Sequence, residues 1–272
     1  PGLDVMSNVA IALPRNPVQL AHQANDLQLL SEGRFILGLG TQIRTQIEKR
    51  YGAEFDRPVA RMKELVGALR AIFATWDTGE RLDFRGEFYR HTLMTPTFVP
   101  GPNPFGPPPI YLGALGPRLT RTTAEVADGL LVMPFGSKRF LHETTMPAVL
   151  EGLAAAGRSD DDFAVVPEII VSVGSDDRDH ASTRMLLAFY GSTPAYRPVL
   201  DAPRDDQQLS GGQFDRVVPE FHRECTFEHQ KQFVGFGMAV PFECADELGD
   251  LDMLPVHVRD DAGGPMVVES GE

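Results

Sequence analysis

The stretch Ser31–Gly40 reads SEGRFILGLG, and it combines a turn, a short apolar run and a pair of glycines. The run Phe35–Leu39 is apolar throughout, which is typical of a strand buried on both faces in a parallel sheet covered by helices. The small and polar residues in front of it, Ser31, Glu32 and Gly33, are typical of a turn. The stretch therefore predicts the end of a helix, a turn and a buried strand.

Similar apolar runs recur along the chain with helical patterns between them. The predicted strands are Val5–Leu13, Phe35–Leu39, Ile110–Ala114, Leu130–Met133 and Val165–Val173. The predicted helices are one from Pro17 behind the cap Asn16, one from Pro58 to Gly79, Pro117–Ala127, Lys138–Ala156 with a kink at Pro147, and Asp177–Phe189. This alternation predicts an α/β fold with parallel strands, and it leaves both a barrel and a doubly wound sheet open.

Two parts of the chain depart from this alternation. Residues 44–108 form an insertion with a predicted hairpin, whose strands are Leu82–Phe84 and Glu87–Tyr89. Residues 201–272 show no sustained period, and we expect an atypical, poorly ordered tail there. The tail holds His222, Cys225, His229 and Cys244, but zinc ligands usually come in closely spaced pairs, so no metal site is predicted.

Composition narrows the class of protein. The chain has 272 residues, 42% of them hydrophobic and 23% charged, which is enough for one large α/β domain. A net charge of −13 without a dense Lys/Arg run argues against a nucleic-acid partner. No apolar stretch approaches the roughly 20 residues that span a bilayer, and no secretory leader opens the chain. We expect a cytoplasmic protein that handles a small molecule.

The glycines at 38 and 40 do not complete either common nucleotide-binding motif. A dinucleotide fingerprint would need a third glycine where the chain has Ile43, and no phosphate-loop Gly-Lys-Ser/Thr follows. From the residues alone, Gly38 and Gly40 either begin a ligand-binding turn or only allow close packing at the strand end.

Several ordered blocks resemble the luciferase-like monooxygenase superfamily. Ser31–Gly40 is similar to its signature S-x-G-R-x-x-L-G-x-G, and Asn8–Ala21 resembles the strand and R-x-P-x-x-x-A helix that precede it. Pro109–Gly113 and Ala127–Leu130 match the fifth and sixth strands, and Leu82–Tyr89 resembles the F-x-G-x-x-Y element of the insertion. The resemblance is greatest to the branch that uses the deazaflavin coenzyme F420.

The resemblance implies a TIM-type (β/α)8 barrel with its active site at the carboxyl ends of the strands. Val5–Leu13 would then be the third strand, so the first two strands would precede Pro1. The family's closing T-x-x-x-G-T-P-E-x-V block is not found after Asp201. We therefore expect a barrel incomplete at both ends over residues 1–200. A truncated chain, or a tail translated from an altered reading frame, would explain this pattern.

The resemblance also implies cofactor-binding residues at two of these strand ends. A non-prolyl cis peptide bond behind the coenzyme ring would fall at Asn8–Val9, with Ser7 beside it. Thr41 and Gln46 match positions where relatives contact the side chain or phosphate of the coenzyme, and a hydroxyl and an amide can donate hydrogen bonds to anionic oxygens.

The turns after the next two strands add further candidates. Gly116 preserves the second of two glycines found in deazaflavin enzymes, whereas Leu115 departs from the first and could crowd the phosphate. Gly136 and Ser137 open a helix, so backbone N–H groups and the helix dipole there favour an anion. The neighbouring Lys138 and Arg139 could add positive charge, although such a pair more often belongs to a solvated helix face.

The predicted function is hydride transfer between coenzyme F420 and an unidentified small organic substrate. The alternatives are an FMN-dependent monooxygenase and, in another class, a non-catalytic barrel fragment or paralogue. The family's usual acid and base residues lie on the first two strands, so no catalytic residue is named. Glu87 and His91 of the insertion are only minor candidates. Relatives of this kind often form homodimers through barrel helices.

Overall fold

The computed structural model describes residues 2–168, 170, 183, 186, 190–191, 193–196, 199, 258–259 and 265–266. Most of the predicted helix Asp177–Phe189 lies outside the described residues. So do the end of the predicted strand Val165–Val173, most of the tail 201–272, and its four histidine and cysteine residues.

The described elements alternate as the sequence predicts. The strands are β1 (Val5–Met6), β2 (Ala10–Ile11), β3 (Phe35–Gly40), β4 (Phe84–Arg85), β5 (Arg90–His91), β6 (Ile110–Ala114), β7 (Gly129–Val132), β8 (Ala164–Pro167), β9 (Val258–Arg259) and β10 (Pro265–Met266). The α-helices are α1 (Pro17–Leu30), α2 (Pro58–Thr78), α3 (Pro117–Val126), α4 (Lys138–Phe140) and α5 (Met146–Ala156). Wider π turns occupy Gln46–Arg50 and Leu141–Thr145, and short 3-10 turns occupy Pro96–Phe98, Asp160–Asp162 and Pro194–Tyr196.

The order of the strands decides between the two α/β architectures. The main sheet runs β1-β3-β6-β7-β8 with β2 also paired to β3, and every neighbouring pair is parallel. A doubly wound sheet reverses its strand order at one point, whereas a (β/α) barrel adds each strand beside the previous one. The order here follows the chain without reversal. The fold is therefore α/β, a curled parallel sheet of the partial-barrel kind.

The described strands form an arc rather than a closed ring. Within the part of the chain that the structure describes, β1 and β2 pair with β3 alone, and β8 pairs with β7 alone. Two apolar clusters fill the space between the arc and its helices. The larger contains Leu37, Leu39 and Leu69, and the smaller joins Leu130 to Val149.

The predicted strand Val5–Leu13 is divided in two. Its halves, β1 and β2, flank a bulge at residues 7–9 that contains a cis peptide bond between Asn8 and Val9. Both halves keep their register on β3, because the Ser7 N–H donates to the Ile36 carbonyl (3.3 Å) and the Ala12 N–H to the Gly40 carbonyl (2.9 Å). The cis bond lies where the family resemblance places it.

The helix ends follow the predicted capping residues. The side chain of Asn16 accepts hydrogen bonds from the N–H groups of residues 18 and 19. Gly79 and Gly157, at φ +74° and +64°, end α2 and α5 in the left-handed conformation that glycine tolerates best. The predicted helix Lys138–Ala156 is interrupted by the π turn Leu141–Thr145, since Pro147 lacks the N–H that a regular helical turn would use.

The hairpin of the insertion is displaced from its predicted position. The strands are β4 and β5, so the predicted strand Glu87–Tyr89 is instead the turn between them. The reason is the carboxylate of Glu64 on α2, which accepts hydrogen bonds from the N–H groups of Glu87, Phe88 and Tyr89 at 2.9, 2.7 and 2.6 Å. These groups are then not free to form a ladder with a partner strand.

Two compact units divide the chain. The first covers Pro1–Phe233 and holds the sheet and its helices. In the second, Val234–Glu272, the described residues form the antiparallel pair β9 and β10. None of the helices that the structure describes is both long and apolar enough to cross a membrane.

Candidate functional site

The predicted cofactor-binding residues gather along one edge of the main sheet. Because its strands are parallel, the segments that follow β1, β3, β6, β7 and β8 all leave the sheet on the same side. We call this side the carboxyl edge. Ser7–Val9, Thr41, Gly116, Gly136–Ser137 and Glu168 all follow a strand at this edge.

The bulge Ser7–Val9 lies directly over the glycines of β3. A Cβ atom at Gly38 would overlap the carbonyl oxygen of Ser7, and one at Gly40 would lie 2.6 Å from Cγ2 of Val9. The hydroxyl of Ser7 donates to the carbonyl of Gly38 at 2.9 Å and accepts from its N–H at 3.0 Å. A Cβ atom at Gly113 of β6 would likewise lie 3.4 Å from Cγ1 of Val9. Gly38 and Gly40 therefore serve close packing of the bulge, which was one of the two interpretations of the sequence.

Glu168 is a member of this edge that the sequence analysis did not identify. It follows β8, and the side chain of Asn8 lies near enough to its carboxylate to favour the charged form. Burial raises the pKa of the Glu168 carboxyl, and the Asn8 side chain partly opposes that rise. Since β1 and β8 stand at opposite ends of the strand order, the two side chains approach each other across the mouth of the arc.

A small cavity joins Glu168 to the turn after β7. Its volume is about 20 Å³, and Gly136, Ser137 and Leu115 line it together with Glu168. A cavity of this size holds about one water molecule. Glu168 thus lies near Asn8 of the bulge and lines one cavity with Gly136 and Ser137, although these parts of the predicted site are far apart in the sequence.

Three aromatic rings pack together beside Glu168. The ring centroids of Phe135 and Tyr190 are 4.9 Å apart, those of Phe135 and Tyr196 5.2 Å, and those of the two tyrosines 5.5 Å. Burial raises the pKa of both tyrosines, and the charge of Glu168 raises that of Tyr190 further. Both phenols accordingly stay protonated near neutral pH and can donate hydrogen bonds.

The turns after β6 and β7 differ in how much room they leave. Gly116 is the N-cap of α3, and the space where its side chain would lie is open within 4 Å. The hydroxyl of Ser137 caps α4 by accepting from the Phe140 N–H at 3.1 Å. Arg139 pairs with Glu143 at 2.9 Å. Gly116 therefore leaves space beside the edge, whereas the Ser137 hydroxyl is engaged in its own helix.

The structure places Thr41 and Gln46 in the loop that leaves β3. Thr41 follows Gly40 directly and is half-buried, and Gln46 is the first residue of the π turn Gln46–Arg50. In the same loop Arg44 stacks over the ring of Phe55 at 4.9 Å. Both predicted residues thus belong to the carboxyl edge, and their contact with a coenzyme stays a prediction.

Glu87 and His91 have structural surroundings. Glu87 is exposed and pairs with Arg57 at 2.8 Å. Burial lowers the pKa of His91, whose Nε2 is buried without a hydrogen-bond partner among the described residues. In the described part of the chain, no group of three or more potential metal ligands is close enough to hold an ion.

A larger cavity lies at the opposite edge of the sheet, where the strands begin. Its volume is about 790 Å³, and it is lined by residues at the amino ends of β6, β7 and β8, including Ile110, Asp128 and Ala164. The carboxylate of Asp128 there accepts from the Ile110 N–H and pairs with Arg70, both at 2.8 Å. These contacts fix the strand starts, so cavity size alone does not identify the functional edge.

Comparisons with known proteins identify the family of the chain. A family model described as luciferase-like monooxygenase matches residues 2–257, which extends beyond the part of the chain where the sequence shows family blocks. An uncharacterised protein of Mycobacterium tuberculosis is 49% identical over 203 residues, covering 73% of this chain and 60% of that protein. The chain therefore spans less than two thirds of the length of this relative.

Two further relatives carry functional names. The F420-dependent glucose-6-phosphate dehydrogenase of Nakamurella multipartita is 30% identical over 196 residues, covering 72% of this chain and 56% of that protein. The structure of the coenzyme F420-dependent tetrahydromethanopterin reductase from Methanopyrus kandleri superposes with a TM-score of 0.58 at 22% identity, covering 72% of this chain and 58% of that one. The structural likeness confirms the fold, and the relatives agree with the predicted F420-using branch.

Proposed function

The chain belongs to the luciferase-like monooxygenase family, and we propose that it uses coenzyme F420 to transfer a hydride to or from a small organic substrate. Members of the family are oxidoreductases and monooxygenases. The observation that carries the proposal is the convergence of the bulge at Asn8, the carboxyl of Glu168 and the turn at Gly136 at one edge of the sheet.

The groups present at the carboxyl edge fit a phosphate-bearing coenzyme. The open space at Gly116 leaves room beside the start of α3. The backbone N–H groups of the turn at Gly136 and Ser137, the hydroxyl of Thr41 and the amide of Gln46 are neutral donors suited to anionic oxygens. The glycines of β3 let the bulge approach the sheet closely, which leaves its outer face available to a ring.

The residues of the carboxyl edge would position a bound coenzyme and exclude water. When bound, the coenzyme supplies the hydride chemistry, and the protein aligns the reacting atoms. Ser7 fastens the bulge to Gly38 through two hydrogen bonds, so Val9 is held in place. The rings of Phe135, Tyr190 and Tyr196 form an apolar wall beside Glu168. Such a wall would exclude water from a reaction in which a hydride must not be lost to solvent.

Coenzyme binding tests the proposal directly. The purified full chain is titrated into F420 and, separately, into FMN, and the fluorescence of each coenzyme is recorded. We expect a saturable change with F420 and none with FMN. Saturation with FMN alone would instead support an FMN-dependent monooxygenase, and binding of neither would support a non-catalytic member of the family.

A substitution at Gly116 locates the site on the carboxyl edge. Gly116→Val would fill the open space and is expected to weaken F420 binding at least about tenfold, which corresponds to about 1.4 kcal/mol. Gly67→Ala is the matched control, because Gly67 lies on α2 and a Cβ there meets the ring of Phe84 at an ordinary 3.4 Å. Equal weakening by both variants would show that binding does not depend on the edge at Gly116.

A further inference from the structure

Glu168 differs in its surroundings from three exposed glutamates of the described chain. Glu87, Glu143 and Glu151 are exposed and form ion pairs with arginines at 2.7–2.9 Å. Among the described residues, the Glu168 carboxyl instead lies near the neutral amide of Asn8. A half-buried carboxyl with an amide partner is less strongly held in its charged form than one that faces a guanidinium.

The position of Glu168 brings its carboxyl to the centre of the proposed site. It lies across the mouth of the arc from Asn8 of the bulge, and it also lines the small cavity with Gly136 and Ser137. Among the described residues, the titratable group whose pKa its charge affects is the phenol of Tyr190, which packs on Phe135 and Tyr196. A ligand lying on the bulge would therefore meet this carboxyl.

We propose that Glu168 is a catalytic residue of this site, which supplies the proton that must accompany a transferred hydride. The proposal rests on the proposed function. Reduction of a substrate double bond adds a hydride to one atom and a proton to its neighbour. The O–H bond of Glu168 breaks, its electron pair stays on the carboxylate, and the proton goes to the atom that gains the electron pair. In the oxidative direction the carboxylate takes up the proton that the substrate releases.

The environment of Glu168 supports this role. Burial raises the pKa of its carboxyl, so it holds its proton more readily than an exposed glutamate does. A general acid works best when its pKa lies near the working pH. The Asn8 amide opposes the rise, so it keeps the group able to both give up and regain a proton.

Nuclear magnetic resonance of the full chain labelled with ¹³C at glutamate carboxyl groups tests the proposal without turnover. We expect one resonance to titrate at higher pH than the other glutamates and to be absent in Glu168→Gln. Glu151→Gln is the matched control, because it removes an exposed glutamate that pairs with Arg121, and it should leave this resonance in place. In Asn8→Ala the same resonance should titrate at still higher pH.

Adding F420 to the labelled protein tests the contact with the ligand. We expect the Glu168 resonance and its titration to shift, while the affinity of the control variant Glu151→Gln for F420 stays within about threefold of the wild type, less than 1 kcal/mol. If F420 binds and the resonance does not move, or if Glu168 titrates with the other glutamates, the role of Glu168 is overturned and the proposed function stands. If the wild type does not bind F420, both proposals fail.

Discussion

Replacing Gly38 with alanine tests the arrangement on which the candidate site rests. The added methyl group would overlap the carbonyl oxygen of Ser7 and lie 3.0 Å from Cδ1 of Leu131. Displacing backbone costs more free energy than rotating the end of a flexible side chain. The bulge would therefore have to move away from β3. The Ser7 hydroxyl would then lose its two hydrogen bonds with the Gly38 backbone.

The expected loss of stability follows from these two effects. Overpacking a well-packed site costs about 1–3 kcal/mol. Each hydrogen bond lost at a buried position costs about 0.5–1.5 kcal/mol. The two effects overlap, because one displacement relieves the clash and breaks the bonds. We therefore expect Gly38→Ala to lower the free energy of unfolding by about 2–4 kcal/mol.

Urea unfolding followed by circular dichroism measures this change, with two comparison variants. Gly40→Ala should cost less, because its methyl group would meet the side chain of Val9, which can rotate. Gly67→Ala should be neutral or stabilising by up to about 1 kcal/mol, since alanine favours the interior of a helix. F420 binding by Gly38→Ala should also weaken. A Gly38→Ala protein within about 0.5 kcal/mol of the wild type would refute the close contact between the bulge and β3.

Three further predictions concern the insertion, the amino ends of the strands and pH. Glu64→Ala should lower the free energy of unfolding by about 2–4 kcal/mol, because three backbone N–H groups lose a charged acceptor. Faster hydrogen exchange confined to the hairpin turn would show that these three bonds are the cause. Asp128→Ala should lower the free energy of unfolding in urea by about 1–3 kcal/mol, because the Ile110 N–H loses its acceptor and Arg70 loses its ion pair. Unchanged stability would contradict a role of Asp128 in fixing the strand starts. Because the pKa of Glu168 is raised in the folded state, its carboxyl contributes fully to the free energy of unfolding below the ordinary pKa of glutamate. This contribution is lost as the pH rises through the raised pKa. Thermal unfolding should therefore show Glu168→Gln gaining stability relative to wild type between acidic and mildly alkaline pH, and a constant difference would contradict the raised pKa.

Much of the fold could be predicted because its signals are local. Asn16 caps α1, Gly79 ends α2, and the apolar stripe of α2 recurs at helical spacing. Each of these signals acts within a few residues of its own position. Their boundaries agree with the structure to within a residue or two. The hairpin of the insertion was misplaced because its register depends on Glu64, which lies on a helix and not in the hairpin.

The sequence predicted only part of the candidate site, and most of that part came from family resemblance and not from local signals. The cis bond at Asn8–Val9 followed from family resemblance, since no local pattern of the strand distinguishes it from an ordinary one. Glu168 was missed because it falls inside the predicted strand Val165–Val173, whereas the observed strand β8 ends at Pro167. Pro167 lacks the N–H that a strand ladder uses, so this proline is the local signal that the strand ends just before Glu168.

The sequence by itself determined the alternation of strands and helices, since apolar periodicity and capping residues act over short distances. It also determined the family, because Ser31–Gly40 and the blocks around it occur in a fixed order. Only the tertiary structure decided why Gly38 must be a glycine and that Asn8 meets Glu168. Both depend on the curl of the sheet, which brings together residues whose separation along the chain contains no information about their contact.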